Sequence, residues 1–225
     1  MTPHPELAAW LRETFGREPK DPALYARALT HGSQGGPSYE RLEFLGDRVL
    51  GLSIAAWLYG KFEGEPEGKL SARLNALVSG ETCAAVGREI GVPAHLILGK
   101  QARDDGAQDS DNVVGDAVEA LIGALFCETD FRTASDFVKR AWGDKLDLLA
   151  EAPKHPKSGL QEWAAANRCK APVYTLVSRH GPHHAPRFTV RVDVSGRAGG
   201  SAEAEGSSKQ EAETEAATTL LRQLA

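Results

Sequence analysis

The spacing of apolar residues changes near Pro153, and this change constrains the fold more than any other feature of the chain. Before it, apolar residues recur every three or four positions, as in residues 42–52, 70–78 and 118–125. After it, apolar and polar residues alternate in three short runs. The first spacing is typical of helices and the second of strands. We therefore predict an all-α domain at residues 1–152, a linker at residues 153–157 and an α+β domain at residues 158–225.

The second domain is predicted to have the order α-β-β-β-α. A helix is expected at residues 160–166, and the strands are expected at residues 173–178, 188–194 and 198–205. A last helix follows, in which Ser207 or Ser208 can cap the first turn. The residues of this helix that would pack onto the strands are Ala212, Ala216 and Leu220.

One predicted helix of the first domain carries three acidic residues on one face. At about 100° per residue, Glu40, Glu43 and Asp47 fall within about 60° of arc, and Phe44 and Leu50 flank that arc. The apolar residues expected on the opposite face are Leu42, Leu45, Val49 and Leu52. Carboxylates crowded beside apolar groups repel one another unless a cation neutralises them.

A second predicted helix carries Asp116 and Glu119 one turn apart, on a face shared with Ala120 and Gly123. Those small residues would let another helix come close. If the two acidic faces meet, four or five carboxylates form an oxygen-only site that suits Mg²⁺ or Mn²⁺ and can support phosphodiester hydrolysis. Acidic residues at helical spacing are also typical of a solvated face, and the spacing alone leaves both interpretations open.

The charge of the chain is unevenly divided between the two predicted domains. The whole chain has a net charge of -5, yet residues 154–225 hold 10 Lys and Arg against 7 Asp and Glu. The acidic excess therefore lies entirely in residues 1–153. A nucleic-acid partner for the second domain is compatible with this distribution, although the overall charge is negative.

Other features of the sequence exclude several classes of protein. Nothing approaches the roughly 18 consecutive apolar residues of a membrane span, so we expect a cytoplasmic protein without a membrane partner. Cys83, Cys127 and Cys169 are widely spaced and form no CxxC pair, which argues against a disulfide framework or a zinc site. No organic cofactor is expected.

Residues 40–47 (ERLEFLGD) resemble the signature helix of the ribonuclease III family, and residues 115–120 (GDAVEA) resemble its second catalytic helix. His31, Gly32 and Ser33 are similar to a motif that usually precedes the signature, and residues 67–71 (EGKLS) occupy the place of a further acidic segment. The resemblance extends from about Leu24 to the C-terminus. Two departures lie near the expected site: Tyr39 stands where the family commonly has Asn, and Gly115 where it commonly has Ala.

The resemblance implies an endonuclease that cuts double-stranded RNA with Mg²⁺, for which Mn²⁺ can substitute. It implies that the metal-binding carboxylates are Glu43, Asp47, Asp116 and Glu119, with Asp47 and Glu119 the main catalytic residues and Glu40 and Glu67 outer members. It further implies a homodimer that leaves 5′-phosphates, 3′-hydroxyls and short 3′ overhangs. The expected substrates are ribosomal RNA precursors and structured messenger RNA.

From Ser158 onward the chain resembles a double-stranded RNA-binding domain. The residues that would contact RNA are Gln161 and Glu162 in the first helix, His184 in the loop between the first two strands, and Ser208 and Lys209 at the start of the last helix. The family usually has a cluster of three basic residues at that helix, where this chain has Lys209, Gln210 and Glu211. We therefore expect weakened, shape-driven binding with Lys209 as the principal cation.

Two other functions compete with the nuclease. A catalytically silent RNA-binding protein could keep the same scaffold, although such a protein would be free to lose its mutually repelling carboxylates. A metal-dependent hydrolase of small phosphate esters would fit the helical half alone, and the second domain argues against it.

Overall fold

The computed structural model describes residues 5–149, 152–153, 155–182 and 186–224. The chain divides into two compact units, Met1–Pro153 and Lys154–Ala225. The predicted fold class is confirmed: the first unit is helical, and the second joins helices to three antiparallel strands. Within the described ranges, no helix is both long and apolar enough to cross a membrane.

The first unit is built from helices around one apolar core. Its α-helices, in chain order, are α1 (Pro5–Phe15), α2 (Pro22–Ala28), α3 (Glu40–Lys61), α4 (Glu67–Leu77), α5 (Gly80–Glu89), α6 (Lys100–Asp104), α7 (Asp111–Glu128) and α8 (Phe131–Leu148). Short polar side chains begin several of them. For example, the carboxylate of Asp130 accepts a hydrogen bond from the backbone N–H of Thr133 at 2.8 Å, which satisfies a free donor of the first turn of α8.

Helix α7 lies at the centre of this core. Its apolar residues Val118, Leu121, Ile122 and Leu125 are at most 1% exposed, as their spacing predicts. A helix that is apolar on most of its circumference must be covered on several sides. Helices α3 and α5 provide most of that cover, so α7 is held against both.

The face that α3 buries differs from the predicted one. Leu42 and Val49 are buried as expected, but Leu52 is 58% exposed. The buried arc is centred near Gly46, where α7 packs, and Leu52 lies about 120° around the helix from that point. Phe44, which flanks the acidic arc, lies on the exposed side of the helix and is 67% exposed, so it does not cover the acidic residues.

The second unit is a three-stranded sheet covered by two helices. Its elements are α9 (Pro156–Ala166), β1 (Val173–His180), β2 (Arg187–Val194), β3 (Gly200–Gly206) and α10 (Lys209–Leu224), and the strands are antiparallel in the order β1-β2-β3. Ala212, Ala216 and Leu220 are completely buried, which confirms the stripe predicted for the last helix. Helix α9 begins at Pro156, inside the segment predicted as linker, because proline is well accommodated in the first turn of a helix.

Candidate metal centre and nucleic-acid interface

Two glycines let the acidic helices α3 and α7 touch. A Cβ atom added to Gly46 of α3 would lie 1.7 Å from the carbonyl oxygen of Glu119 in α7. A Cβ atom added to Gly123 of α7 would lie 2.3 Å from the carbonyl oxygen of Leu42 in α3. The two backbones therefore meet where no side chain fits. The close helix contact expected at Gly123 is confirmed, whereas the role of Gly46 was not anticipated.

This contact brings three of the predicted carboxylates within electrostatic reach of one another. We call Glu43 of α3 with Asp116 and Glu119 of α7 the carboxylate cluster. Burial, followed by the negative charges of Asp116 and Glu43, raises the pKa of Glu119 to about 7. A carboxyl group of this kind is partly protonated near neutral pH unless a cation lies beside it.

The other two members of the carboxylate cluster are perturbed in the same direction. Partial burial raises the pKa of Glu43, and the charges of Asp116 and Glu40 add to the effect. Partial burial also raises the pKa of Asp116. A hydrogen bond from Tyr39 and the nearby His31 lower this pKa and partly offset the effect of burial. All three carboxylates are therefore less stable as anions than carboxylates in water.

Two neutral donors contact the carboxylate cluster. The Tyr39 hydroxyl donates to Oδ2 of Asp116 at 3.3 Å, and the Cys83 thiol in α5 lies 3.8 Å from Oε1 of Glu119. Burial, followed by the charge of Glu119, raises the pKa of Cys83 to about 12, so this thiol stays protonated. The sequence marks Tyr39 only as a departure from a family pattern and gives no sign that Cys83 lies beside an acidic residue. A contact between residues this far apart leaves no local signal in the sequence.

The remaining predicted acids are placed differently. Asp47 forms an ion pair with the adjacent Arg48. Glu40 is exposed but close enough to raise the pKa of Glu43. Glu67 begins α4, where it accepts a hydrogen bond from the Ser71 hydroxyl at 2.6 Å, and the structure does not join it to the carboxylate cluster.

The carboxylate cluster fits a hard divalent cation in its chemistry. Its donors are oxygen atoms, and a cation would offset the burial and repulsion that raise the three pKa values. In the part of the chain that the structure describes, no three His, Cys, Asp or Glu side chains are close enough to share one ion. The helix packing therefore gathers the donors without closing a coordination sphere.

Four of the five predicted RNA contacts of the second unit lie in α9 or at the start of α10. Gln161 and Glu162 are exposed on α9. Ser208 caps α10, because its hydroxyl oxygen accepts a hydrogen bond from the backbone N–H of Glu211 at 3.1 Å. The side chain of Lys209 is 60% exposed. His184 lies outside the described residues.

A second lysine, in the segment predicted as linker, lies close to these residues. The ammonium group of Lys157, in the first turn of α9, lies 2.6 Å from Oε2 of Glu213 in α10. It also lies 4.7 Å from the centroid of the Tyr174 ring. Lys157, Gln161 and Gln210 line a groove of about 510 Å³ between these elements.

Two family models match the chain. Residues 21–146 match the model described as ribonuclease-III-like, and residues 156–224 match the double-stranded RNA binding motif. The two matches follow one another in the same order as the two compact units.

Known proteins match over most of the chain. The chain is 57% identical to ribonuclease 3 of Zymomonas mobilis over 217 residues, which cover 96% of this chain and 87% of that protein. It is 44% identical to ribonuclease 3 of a Jannaschia species, with 100% of this chain and 99% of that protein covered.

A solved structure is similar to part of the chain. The crystal structure of the nuclease domain of ribonuclease III from Campylobacter jejuni matches with a TM-score of 0.59 and 32% identity, covering 61% of this chain and 94% of that chain. Another structure of that domain, which concerns structural flexibility in a region involved in dimer formation, matches with the same TM-score.

Proposed function

The chain belongs to the ribonuclease III family and is an endoribonuclease of double-stranded RNA, and we propose that it uses a divalent metal ion held by carboxylates of α3 and α7. The observation that carries this proposal is the contact of the two helices at Gly46 and Gly123. That contact brings Glu43, Asp116 and Glu119 within electrostatic reach of one another.

The residues proposed to hold the ion are Glu43, Asp47, Asp116 and Glu119, with Mg²⁺ as the ion and Mn²⁺ as a substitute. The bound ion would activate water and stabilise the charge that develops on the phosphate during hydrolysis. Glu119 and Asp116 are half-buried, and two neutral donors contact them, so their orientation is restrained before any ion binds. Asp47 would exchange its pairing with Arg48 for the ion. Glu40 and Glu67 are proposed as outer acids that add negative potential.

We propose that the products carry 5′-phosphates and 3′-hydroxyls with short 3′ overhangs, as membership of the family implies. Ribosomal RNA precursors and structured messenger RNAs are the proposed substrates, and the cytoplasm is the proposed location. Staggered cuts in a duplex require two active sites at a set separation, which a homodimer would provide.

An exposed apolar face of α3 supports the proposed homodimer. Phe44, Leu52 and Tyr59 are 67%, 58% and 77% exposed, and at 100° per residue they fall within about 80° of arc. Apolar side chains grouped on one exposed helix face are typical of protein interfaces. The Campylobacter jejuni nuclease domain, which has a region involved in dimer formation, is similar in fold to the first unit.

The second unit is proposed to bind the duplex by shape. Gln161 and Glu162 on α9 and His184 in the β1–β2 loop would meet successive minor grooves. Ser208 and Lys209 would meet phosphate at the start of α10, where the backbone N–H groups and the helix dipole favour an anion. Exposure of Gln161, Glu162 and the Lys209 side chain supports this assignment.

The test compares wild type with Glu119→Gln, which keeps the size of the side chain but removes its charge. Each protein is incubated with a long perfect RNA duplex and either Mg²⁺ or EDTA, and the product ends are analysed. Glu13→Gln is the matched control, because Glu13 is an exposed residue of α1. Wild type and Glu13→Gln are expected to cleave the duplex in Mg²⁺ but not in EDTA, leaving 5′-phosphate ends, whereas Glu119→Gln is expected not to cleave it. If wild type bound the duplex without cutting it under any divalent ion, it would instead be a silent RNA-binding protein.

A further inference from the structure

Glu213 of α10 is paired with two lysines on the surface proposed to bind RNA. Its Oε2 lies 2.6 Å from the ammonium group of Lys157 in α9, and its Oε1 lies 3.8 Å from that of Lys209. The Glu213 side chain is only 15% exposed, whereas those of Lys157 and Lys209 are 34% and 60% exposed. The carboxylate is therefore less accessible to solvent than either cation.

The surroundings hold this arrangement in place. The Lys157 ammonium group also lies over the ring of Tyr174, which adds a cation–π attraction. The groove lined by Lys157, Gln161 and Gln210 opens beside it, so one proposed RNA-contacting residue and one of the paired lysines border the same space. An RNA phosphate that approached there would meet cations that already have an anionic partner.

We propose that Glu213 limits the affinity of this protein for duplex RNA by holding Lys157 and Lys209 in ion pairs within the protein. This inference rests on the proposed RNA-binding role of the second unit. An RNA phosphate can bind either lysine only by displacing the Glu213 carboxylate or by sharing the cation with it. The surface therefore disfavours ligands that bind only through weak electrostatic contacts and favours a duplex whose shape also fits α9.

Removing the charge of Glu213 should free both cations. Because each lysine–phosphate contact releases counterions, Glu213→Gln should bind duplex RNA about tenfold more tightly at 0.1 M salt, and its salt dependence should steepen by about 1 to 2 logarithmic units per tenfold change in salt. The gain should shrink as salt rises, since screening weakens phosphate contacts.

The measurement uses the full chain carrying Glu119→Gln, so that RNA is bound and not cut. Fluorescence anisotropy gives the dissociation constant for a perfect RNA duplex longer than the roughly 16 base pairs that one such domain spans, over a series of KCl concentrations. Thermal melts monitored by circular dichroism confirm that each variant is folded.

Glu215→Gln is the matched control. Glu215 is an exposed residue of the same helix, and its replacement changes the net charge by the same amount. Glu213→Gln should bind more tightly than Glu215→Gln, and adding Lys157→Ala and Lys209→Ala should abolish the gain. Equal gains from Glu213→Gln and Glu215→Gln, or a gain that survives loss of both lysines, would show a general charge effect and overturn the inference.

The outcomes separate this inference from the proposed function. If the parent protein binds the duplex, Lys209→Ala weakens binding and Glu213→Gln leaves it unchanged, only the inference is wrong. If the parent protein shows no binding to duplex RNA at any salt concentration, the RNA-binding role and the inference fail together.

Discussion

Gly46 is the position at which adding a single methyl group, by substitution with alanine, should disrupt the proposed active site most. The Cβ of an alanine there would lie 1.7 Å from the carbonyl oxygen of Glu119, 2.5 Å from its carbonyl carbon and 2.9 Å from the backbone nitrogen of Gly123. Real Cβ atoms essentially never come closer than 3.0 Å to such atoms. Because the obstacles are backbone atoms and not flexible side chains, α3 and α7 would have to move apart by more than 1 Å.

The magnitude follows from two opposing effects. Overpacking a core costs about 1–3 kcal/mol, and a backbone obstacle places Gly46→Ala near the upper end. Alanine recovers about 1 kcal/mol through its better helix propensity. We expect a net loss of about 2 kcal/mol in the free energy of unfolding, with a fall in Tm of roughly 4–8 °C. A displacement of about 1 Å in the carboxylate cluster should also lower the cleavage rate about 100-fold.

Urea unfolding and single-turnover cleavage at saturating Mg²⁺ measure the two effects. Gly143→Ala is the matched control, because it lies within α8 and its Cβ would meet nothing within 4 Å. That variant should be about 0.5–1 kcal/mol more stable than wild type and equally active. A Gly46→Ala protein as stable and as active as wild type would refute the view that this contact sets the geometry of the site.

Three further predictions concern single side chains of the first unit. Tyr39→Phe removes the hydroxyl that lies 3.3 Å from Asp116 and should weaken Mn²⁺ binding about tenfold in a calorimetric titration; unchanged affinity would contradict a positioning role. Arg73 is 1% exposed and donates to both carboxylate oxygens of Glu65 at 2.8 Å, so Arg73→Met should lower the free energy of unfolding in urea by about 3 kcal/mol, and a loss below about 1 kcal/mol would count against this. In EDTA, the pKa of Glu119, raised from 4.5 to about 7, means that the stability it contributes is present below about pH 4.5 and is lost as pH rises through about 7. Glu119→Gln should therefore raise Tm more at about pH 8 than at about pH 4.5, and an equal difference at both would be inconsistent with the raised pKa.

Local spacing was sufficient to locate most elements. The three- and four-residue spacing of apolar residues predicted α3, α4 and α7, and alternation predicted β1, β2 and β3 to within a few residues. Ser208 caps α10 as one of the two serines proposed for that role. These features depend on residues within one or two turns of each other, so the chain itself carries the information.

The sequence predicted less well how the elements are oriented in the core. The helical period predicted for α3 is correct, but its buried face is centred near Gly46, so Leu52 and Phe44 are exposed. The sequence shows which residues share a face but not which face meets α7. Helix α9 likewise begins at Pro156, because the preference of proline for a first turn prevailed over its tendency to interrupt a helix.

By itself, the sequence determined the order of the elements, the acidic faces of two helices and the family to which they belong. Only the tertiary structure decided which groups meet: Tyr39 reaches Asp116 across 77 positions of the chain, and Lys157 reaches Glu213 across 56. The physical reason is that helical and strand periods set angles within one element, whereas distances between elements depend on how closely their backbones pack. At Gly46 that distance is set by the absence of a side chain, and the carboxylate cluster follows from it.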